Sequence, residues 1–161
     1  MASSPAPAPH SSPWPMLGRR AVAGALGGFA GGIVFGFLMA QMGLLPVVAS
    51  LIGSDSAGAG LILQLMISVV AGLGLTVPFA GRFLTGYRNG ILAGLAYGVL
   101  WWVLWCVAGL LPMPRMPGMP VSALALIAAL SLMGHLIYGA VLGLTAVRVL
   151  KGRTRPLDET P

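Results

Sequence analysis

The sequence predicts an all-α membrane protein built as a bundle of four transmembrane helices. Two observations carry this expectation. The 161 residues are 57% hydrophobic and only 7% charged, against roughly 25% charged in a soluble domain, so the chain could not cover its own surface in water. The few charges are also spaced to leave long apolar gaps, from Arg20 to Asp55, Asp55 to Arg82, Arg88 to Arg115 and Arg115 to Arg148. A membrane-crossing helix needs about 20 apolar residues. Each gap therefore holds one span and is too short for two with a turn.

Residues 1–18 are rich in Pro, Ala and Ser and bury little, so they read as a disordered N-terminal tail. A signal peptide is the competing reading, because Arg19-Arg20 precedes an apolar run. That run exceeds the 7–15 residues of a signal core, and no clear cleavage site follows.

The transmembrane domain is expected over residues 19–150. The first span covers about 21–42 and stops at Gly43-Leu44-Leu45-Pro46, because proline cannot continue a helix. Residues 47–60 form a loop whose Val-Val-Ala-Ser-Leu-Ile stretch reads as interfacial. The second span covers about 61–80. A short basic loop with Arg82 and Arg88 leads into the third span, about 90–111, which again reaches Gly-Leu-Leu-Pro at Pro112. A Pro-rich loop follows. The fourth span covers about 121–150, and residues 151–161 form a polar tail.

Orientation follows from charge. Arg19, Arg20, Arg82, Arg88, Arg148, Lys151, Arg153 and Arg155 lie on one side of these spans, and Arg115 alone on the other. Lys and Arg accumulate on the cytoplasmic side, so both termini are expected inside. The same reading explains the net charge of +6 without nucleic acid, since no basic stripe interleaved with aromatics exists.

The chain reads as two tandem helical hairpins. Gly28, Gly32 and Gly36 match Gly90, Gly94 and Gly98 at an offset of 62, and both runs lead to Gly-Leu-Leu-Pro. Gln64-Leu65 and Gly72-Leu73 match His135-Leu136 and Gly143-Leu144 at an offset of 71. Two successive hairpins keep one orientation, so a pseudo-two-fold axis along the membrane normal is expected.

Gly24, Gly28, Gly32 and Gly36 share one face of the first span. Gly90, Gly94 and Gly98 do so in the third, Gly139 and Gly143 in the fourth, and Ser68 and Gly72 in the second. Small residues at four-residue steps let backbones approach in lipid. Four helices do not easily bury all these faces, so a homo-oligomer or a contact with another membrane protein is expected, besides the bilayer itself.

The candidate polar interface is His135, Gln64 and Ser68. His135 shares its face with Gly139 and Gly143, and Gln64 with Ser68 and Gly72, so both point at helix interfaces. A polar group in hydrocarbon needs a partner. For His135 that partner is Gln64, Ser131 or a backbone carbonyl, and the repeat sets it on the side of the fourth span facing the second. Haem ligation through His135 is the sharper alternative, but the only other histidine, His10, lies in the tail.

Trp101, Trp102 and Trp105 with Tyr97 read as an interfacial belt or as bulk packed beside glycine. Cys106 is the sole cysteine, so no internal disulfide or Cys-based zinc site is available. No cofactor is expected. The only acids, Asp55, Asp158 and Glu159, lie outside the spans, and no catalytic motif or paired carboxylate occurs. These features leave no candidate catalytic residue, and they point to a structural or accessory membrane protein, with a small oligomeric passive channel or transporter as the alternative.

The segments LAYGVLWW leading to GLLPMP in the third span, and MGHLIYGAVLGL in the fourth, resemble an uncharacterised group of small four-helix bacterial membrane proteins. The resemblance spans about residues 20–150. It implies the four-helix topology and a bacterial inner-membrane location, and no activity.

Overall fold

A computed structural model of the chain describes residues 14–110 and 121–152. Over these residues the protein is all-helical: α1 (Trp14–Gln41), α2 (Leu45–Ala49), α3 (Ala57–Phe83), α4 (Tyr87–Leu110) and α5 (Val121–Gly152). Four of these helices are long and apolar enough to cross a membrane, namely α1, α3, α4 and α5. Their outward faces carry large apolar side chains such as Leu26, Phe29, Ile33, Ile62, Met66, Val70 and Leu100. Lipid solvates such a surface and water does not.

The spans run further than the sequence suggested. α1 begins at Trp14, so residues 14–18, expected in the tail, are helical. Pro15 is tolerated because it lies in the first turn, where no intrahelical amide is needed. The expectations for residues 1–13, for the loop with Arg115 and for the tail after Gly152 lie outside the described residues.

The residues expected as the first loop, 47–60, are largely helical. α1 ends in a Schellman turn. Gly43 has φ +67, its amide donates to Ala40, and the amide of Leu44 donates to Met39 at 2.9 Å. Pro46 then sits in the first turn of α2, so it starts a helix rather than ending one. A 3-10 turn (Ser50–Ile52) follows. Leu45, Val48 and Ala49 are buried, and a Cβ on Gly60 would meet the Leu45 carbonyl. This short helix is thereby tied to the start of α3, where the Ser56 hydroxyl accepts from the Ala59 amide at 3.4 Å.

Helix packing follows the glycines. α1 packs along α3, and α4 along α5, as two hairpins. A Cβ on Gly24 would strike Thr76 and the Gly72 carbonyl, one on Gly28 the Ser68 carbonyl, and one on Gly32 the Ser68 side chain. In the second hairpin Gly90 faces Val147 and Gly143, Gly94 faces Gly139, and Gly98 faces the His135 carbonyl. A second stripe on α1 joins the hairpins, with Gly27 against Leu142 and Gly31 against Tyr138.

These contacts support the duplication and correct its register. Gly24, Gly28 and Gly32 play the parts of Gly90, Gly94 and Gly98, while Thr76, Gly72 and Ser68 play those of Val147, Gly143 and Gly139. The offset between α3 and α5 is 71, as the sequence suggested, but that between α1 and α4 is 66 rather than 62. A glycine stripe with a period of four looks the same after a shift of four residues. The glycine run alone therefore slipped the alignment by one helical turn, whereas the two Gly-Leu-Leu-Pro segments, at 43–46 and 109–112, are themselves 66 residues apart.

The stripes are also all used inside one protomer. Gly36, the remaining member, meets Leu61 of α3. The premise that four helices would leave glycine faces bare for a second copy thus fails: adjacent stripes on α1 serve two neighbours at once.

The two hairpins do not close symmetrically. α1 packs closely on α5, whereas α3 and α4, the equivalent pair, barely touch. At the 66-residue offset Gly31 corresponds to Tyr97. A tyrosine ring where the other hairpin has no side chain keeps α3 and α4 apart. The result is a four-helix bundle with one loosened seam.

Candidate functional site

The candidate polar residues meet at that seam. Gln64 and Ser68 are presented by α3, and His135 by α5. All three are buried: 6% of Gln64, 2% of Ser68 and 6% of His135 is exposed. Together with Phe35, Trp101, Trp105 and Tyr138 they line a half-open cavity of about 30 Å³ between the helices. A volume of this size has room for one or two water molecules.

The lining repeats the pseudo-symmetry. At the offsets of 66 and 71, Phe35 corresponds to Trp101, Gln64 to His135 and Ile67 to Tyr138, and all six line the cavity. Gln64 and His135 line one space between the helices. The stripes behind them, however, pack within their own hairpins rather than on each other. Each of those backbones already has a glycine partner one helix away, so the axis is left to side chains.

Hydrogen bonding is local rather than across the axis. His135 Nδ1 lies 2.8 Å from the Ser131 carbonyl oxygen, one turn back in α5. A carbonyl only accepts, so Nδ1 carries the proton and donates. The remaining ring nitrogen, Nε2, makes no hydrogen bond among the described residues. Gln64 donates from Nε2 to the Ser68 hydroxyl at 3.1 Å, again one turn along its own helix. Of the three partners expected for His135, the backbone carbonyl is the one realised, because a side chain can reach the preceding turn without spanning the seam.

The ring of His135 packs edge-on against Phe35, with centroids 4.8 Å apart. Tyr138 donates to the Ser68 carbonyl at 2.7 Å and ties α5 to α3. Tyr97 donates to the Ala71 carbonyl at 2.9 Å and spans the loosened seam. Sequence reasoning missed both tyrosines as ties, and it missed Phe35 and the Gly27-Gly31 stripe. The available signal was the two adjacent glycine stripes on α1, which require two helix neighbours.

The tryptophans divide their work. Trp102 donates to the Ala128 carbonyl of α5 at 3.2 Å. Trp101 and Trp105 turn toward the cavity. The Trp101 indole nitrogen is buried and has no hydrogen-bond partner among the described residues. The same lining carries the Gln64 carboxamide and the His135 imidazole, so the cavity suits a bridging water.

At one end of the bundle the cations gather. The Arg19 guanidinium donates to the Leu150 carbonyl at 2.8 Å, near the C-terminus of α5, where carbonyls lack intrahelical partners. Arg20 donates to the Val77 carbonyl at 3.2 Å. The Lys151 ammonium lies 5.0 Å from the Tyr87 ring centroid. Asp55, the one acid among the described residues, sits before α3 at the other end.

The fold thus defines an all-helical protein of the multi-pass membrane class, with four membrane-length helices. No family model matches the chain, and no curated protein and no solved structure matches it either.

Proposed function

We propose that this is a structural or accessory protein of the membrane, without enzymatic activity, that works through its outer helical faces. The observation that supports this reading is the close packing of its helices. Helix backbones meet at glycine in both hairpins, and the cavity between the helices offers only about 30 Å³. A solute path through one protomer would need α3 and α4 to part beyond the Tyr97–Ala71 tie. A porphyrin at His135 would need the same, since Phe35 occupies the space beside the imidazole.

The glycine stripes are engaged internally, so a partner, whether a second copy or another membrane protein, would meet the apolar outer surfaces. The basic end, with Arg19, Arg20, Arg82, Arg88, Arg148 and Lys151, is taken to face the cytoplasm. Both termini then lie inside, in a bacterial inner membrane by resemblance.

Reconstitution into proteoliposomes tests the reading against the channel or transporter alternative. Ion and small-solute flux is expected to equal that of protein-free vesicles. Flux that rises in proportion to the protein incorporated would overturn the accessory reading.

A further inference from the structure

At the basic end residues 84–86 join α3 to α4. There Arg82 and Phe83 of α3 and Asn89, Leu92 and Ala93 of α4 line a fissure of about 300 Å³. The fissure is largely open, and its lining is apolar at Phe83, Leu92 and Ala93 and polar at Arg82 and Asn89. Phe83 and Leu92 are both substantially exposed along it. The Arg82 guanidinium is 5.7 Å from the Phe83 ring centroid and makes no hydrogen bond or ion pair among the described residues. Arg88, one residue before Asn89, likewise has neither. Asn89 uses one amide hydrogen on the Thr85 hydroxyl, at 3.0 Å, and keeps a second. This contrasts with Arg19 and Arg20, whose guanidinium groups are already bound to carbonyl oxygens.

We infer that this fissure holds one anionic phospholipid. Arg82 and the spare amide hydrogen of Asn89 take its phosphate, Arg88 lies at the rim, and an acyl chain runs along Leu92 and Ala93 toward Tyr97. A guanidinium fork matches two phosphate oxygens, and basic pockets between transmembrane helices suit anionic headgroups. Free phosphate would leave the apolar walls bare. A helix from another protein would cover the walls but leave the cations without an anion. The lipid satisfies both. Tyr97 sets the inner limit: from Asn89 to Tyr97 is eight residues, or about 12 Å of helix, and there the bond to Ala71 closes the seam.

The test is retention of lipid by the purified full chain, exchanged into equal amounts of phosphatidylglycerol and phosphatidylcholine and read by native mass spectrometry. One phosphatidylglycerol per protomer is expected to survive delipidation, in preference to phosphatidylcholine. Arg82→Gln should weaken that retention about fivefold, and Arg82→Lys should restore most of it. Leu92→Trp, at an exposed position, should block the fissure without altering charge, and it should abolish retention in protein that still elutes as a single species. Arg148→Gln, on the exposed face of α5, should change nothing. Equal retention of the two lipids, equal loss in Arg148→Gln, or unchanged retention in Leu92→Trp would each overturn the site. So would a stoichiometric partner protein that crosslinks at position 92 and excludes lipid.

Discussion

The hydroxyl of Tyr97 in α4 donates to the carbonyl oxygen of Ala71 in α3 at 2.9 Å, from the position that Gly31 holds in the other hairpin. On one side of the pseudo-two-fold axis a glycine lets α1 and α5 meet, with Tyr138 against its backbone. On the other side a tyrosine holds the helices apart and bridges them through its ring. One substitution within a duplicated hairpin thus produces both the tight seam and the open one.

Removing that hydroxyl should loosen the open seam and little else. Tyr97→Phe is expected to cost about 0.6 kcal/mol, with about 1.7 kcal/mol as the upper range for a hydrogen bond between helices in a membrane. Unfolding in mixed micelles would measure it. A loss well above that range would mean that Tyr97 carries packing that the hydrogen bond does not describe.

The glycine contacts make a sharper prediction. A methyl group on Gly94 would meet the Gly139 carbonyl, and one on Gly139 would meet the Gly94 carbonyl. Backbone cannot yield as a side chain does, so α4 and α5 would have to separate. Gly94→Ala and Gly139→Ala should each cost about 1–3 kcal/mol. Gly18 has nothing within 4 Å of its Cβ position, and Gly18→Ala should instead stabilise α1 by about 0.5–1 kcal/mol. Equal thermal stability for the three variants would refute this account of the packing.

Much of this architecture was legible because lipid imposes strong rules on sequence. The spacing of Arg20, Asp55, Arg82, Arg88, Arg115 and Arg148 marked four apolar segments, and helices of membrane length occupy them. The burial of Gln64, Ser68 and His135 followed from their sharing faces with small residues. What was not legible turned on degeneracy. A four-residue glycine period cannot fix its own register, which is why Gly28 aligned with Gly90 when Gly24 is its structural counterpart; the 66-residue spacing of the two Gly-Leu-Leu-Pro segments was the signal that resolves it. Nor does a proline say whether it ends one helix or opens the next; at Pro46 the left-handed Gly43 had already made the stop. The seam was hidden for a third reason. It depends on Tyr97 facing the equivalent of Gly31, a relation visible only at the correct offset.

Topology can be tested without purification. The cations that meet at one end of the bundle come from α1, the end of α3, the start of α4 and α5, and Asp55 lies at the opposite end. A reporter active only outside the cytoplasm should give signal when fused at Ser54 or Met116. It should be silent after Pro161. The reverse pattern would invert the bundle and place the fissure lined by Arg82 on the outer side.

His135 provides the test that separates a structural histidine from a ligand. Its Nδ1–H is satisfied by the Ser131 carbonyl at 2.8 Å, its ring is held by Phe35, and the cavity before it has room for one or two waters. A carboxamide can also donate to a carbonyl one turn back and fills a similar volume, and the repeat itself has Gln64 at the equivalent position. His135→Gln should therefore be tolerated. His135→Leu loses the donor to the Ser131 carbonyl, so it should cost about 0.6–1.7 kcal/mol. Both values come from the same unfolding measurement, with absorbance recorded on the purified protein. A Soret band that disappears in His135→Ala, or a collapse of folding in His135→Gln alone, would show that Nε2 binds something the carboxamide cannot replace, and the packing account of this residue would fail.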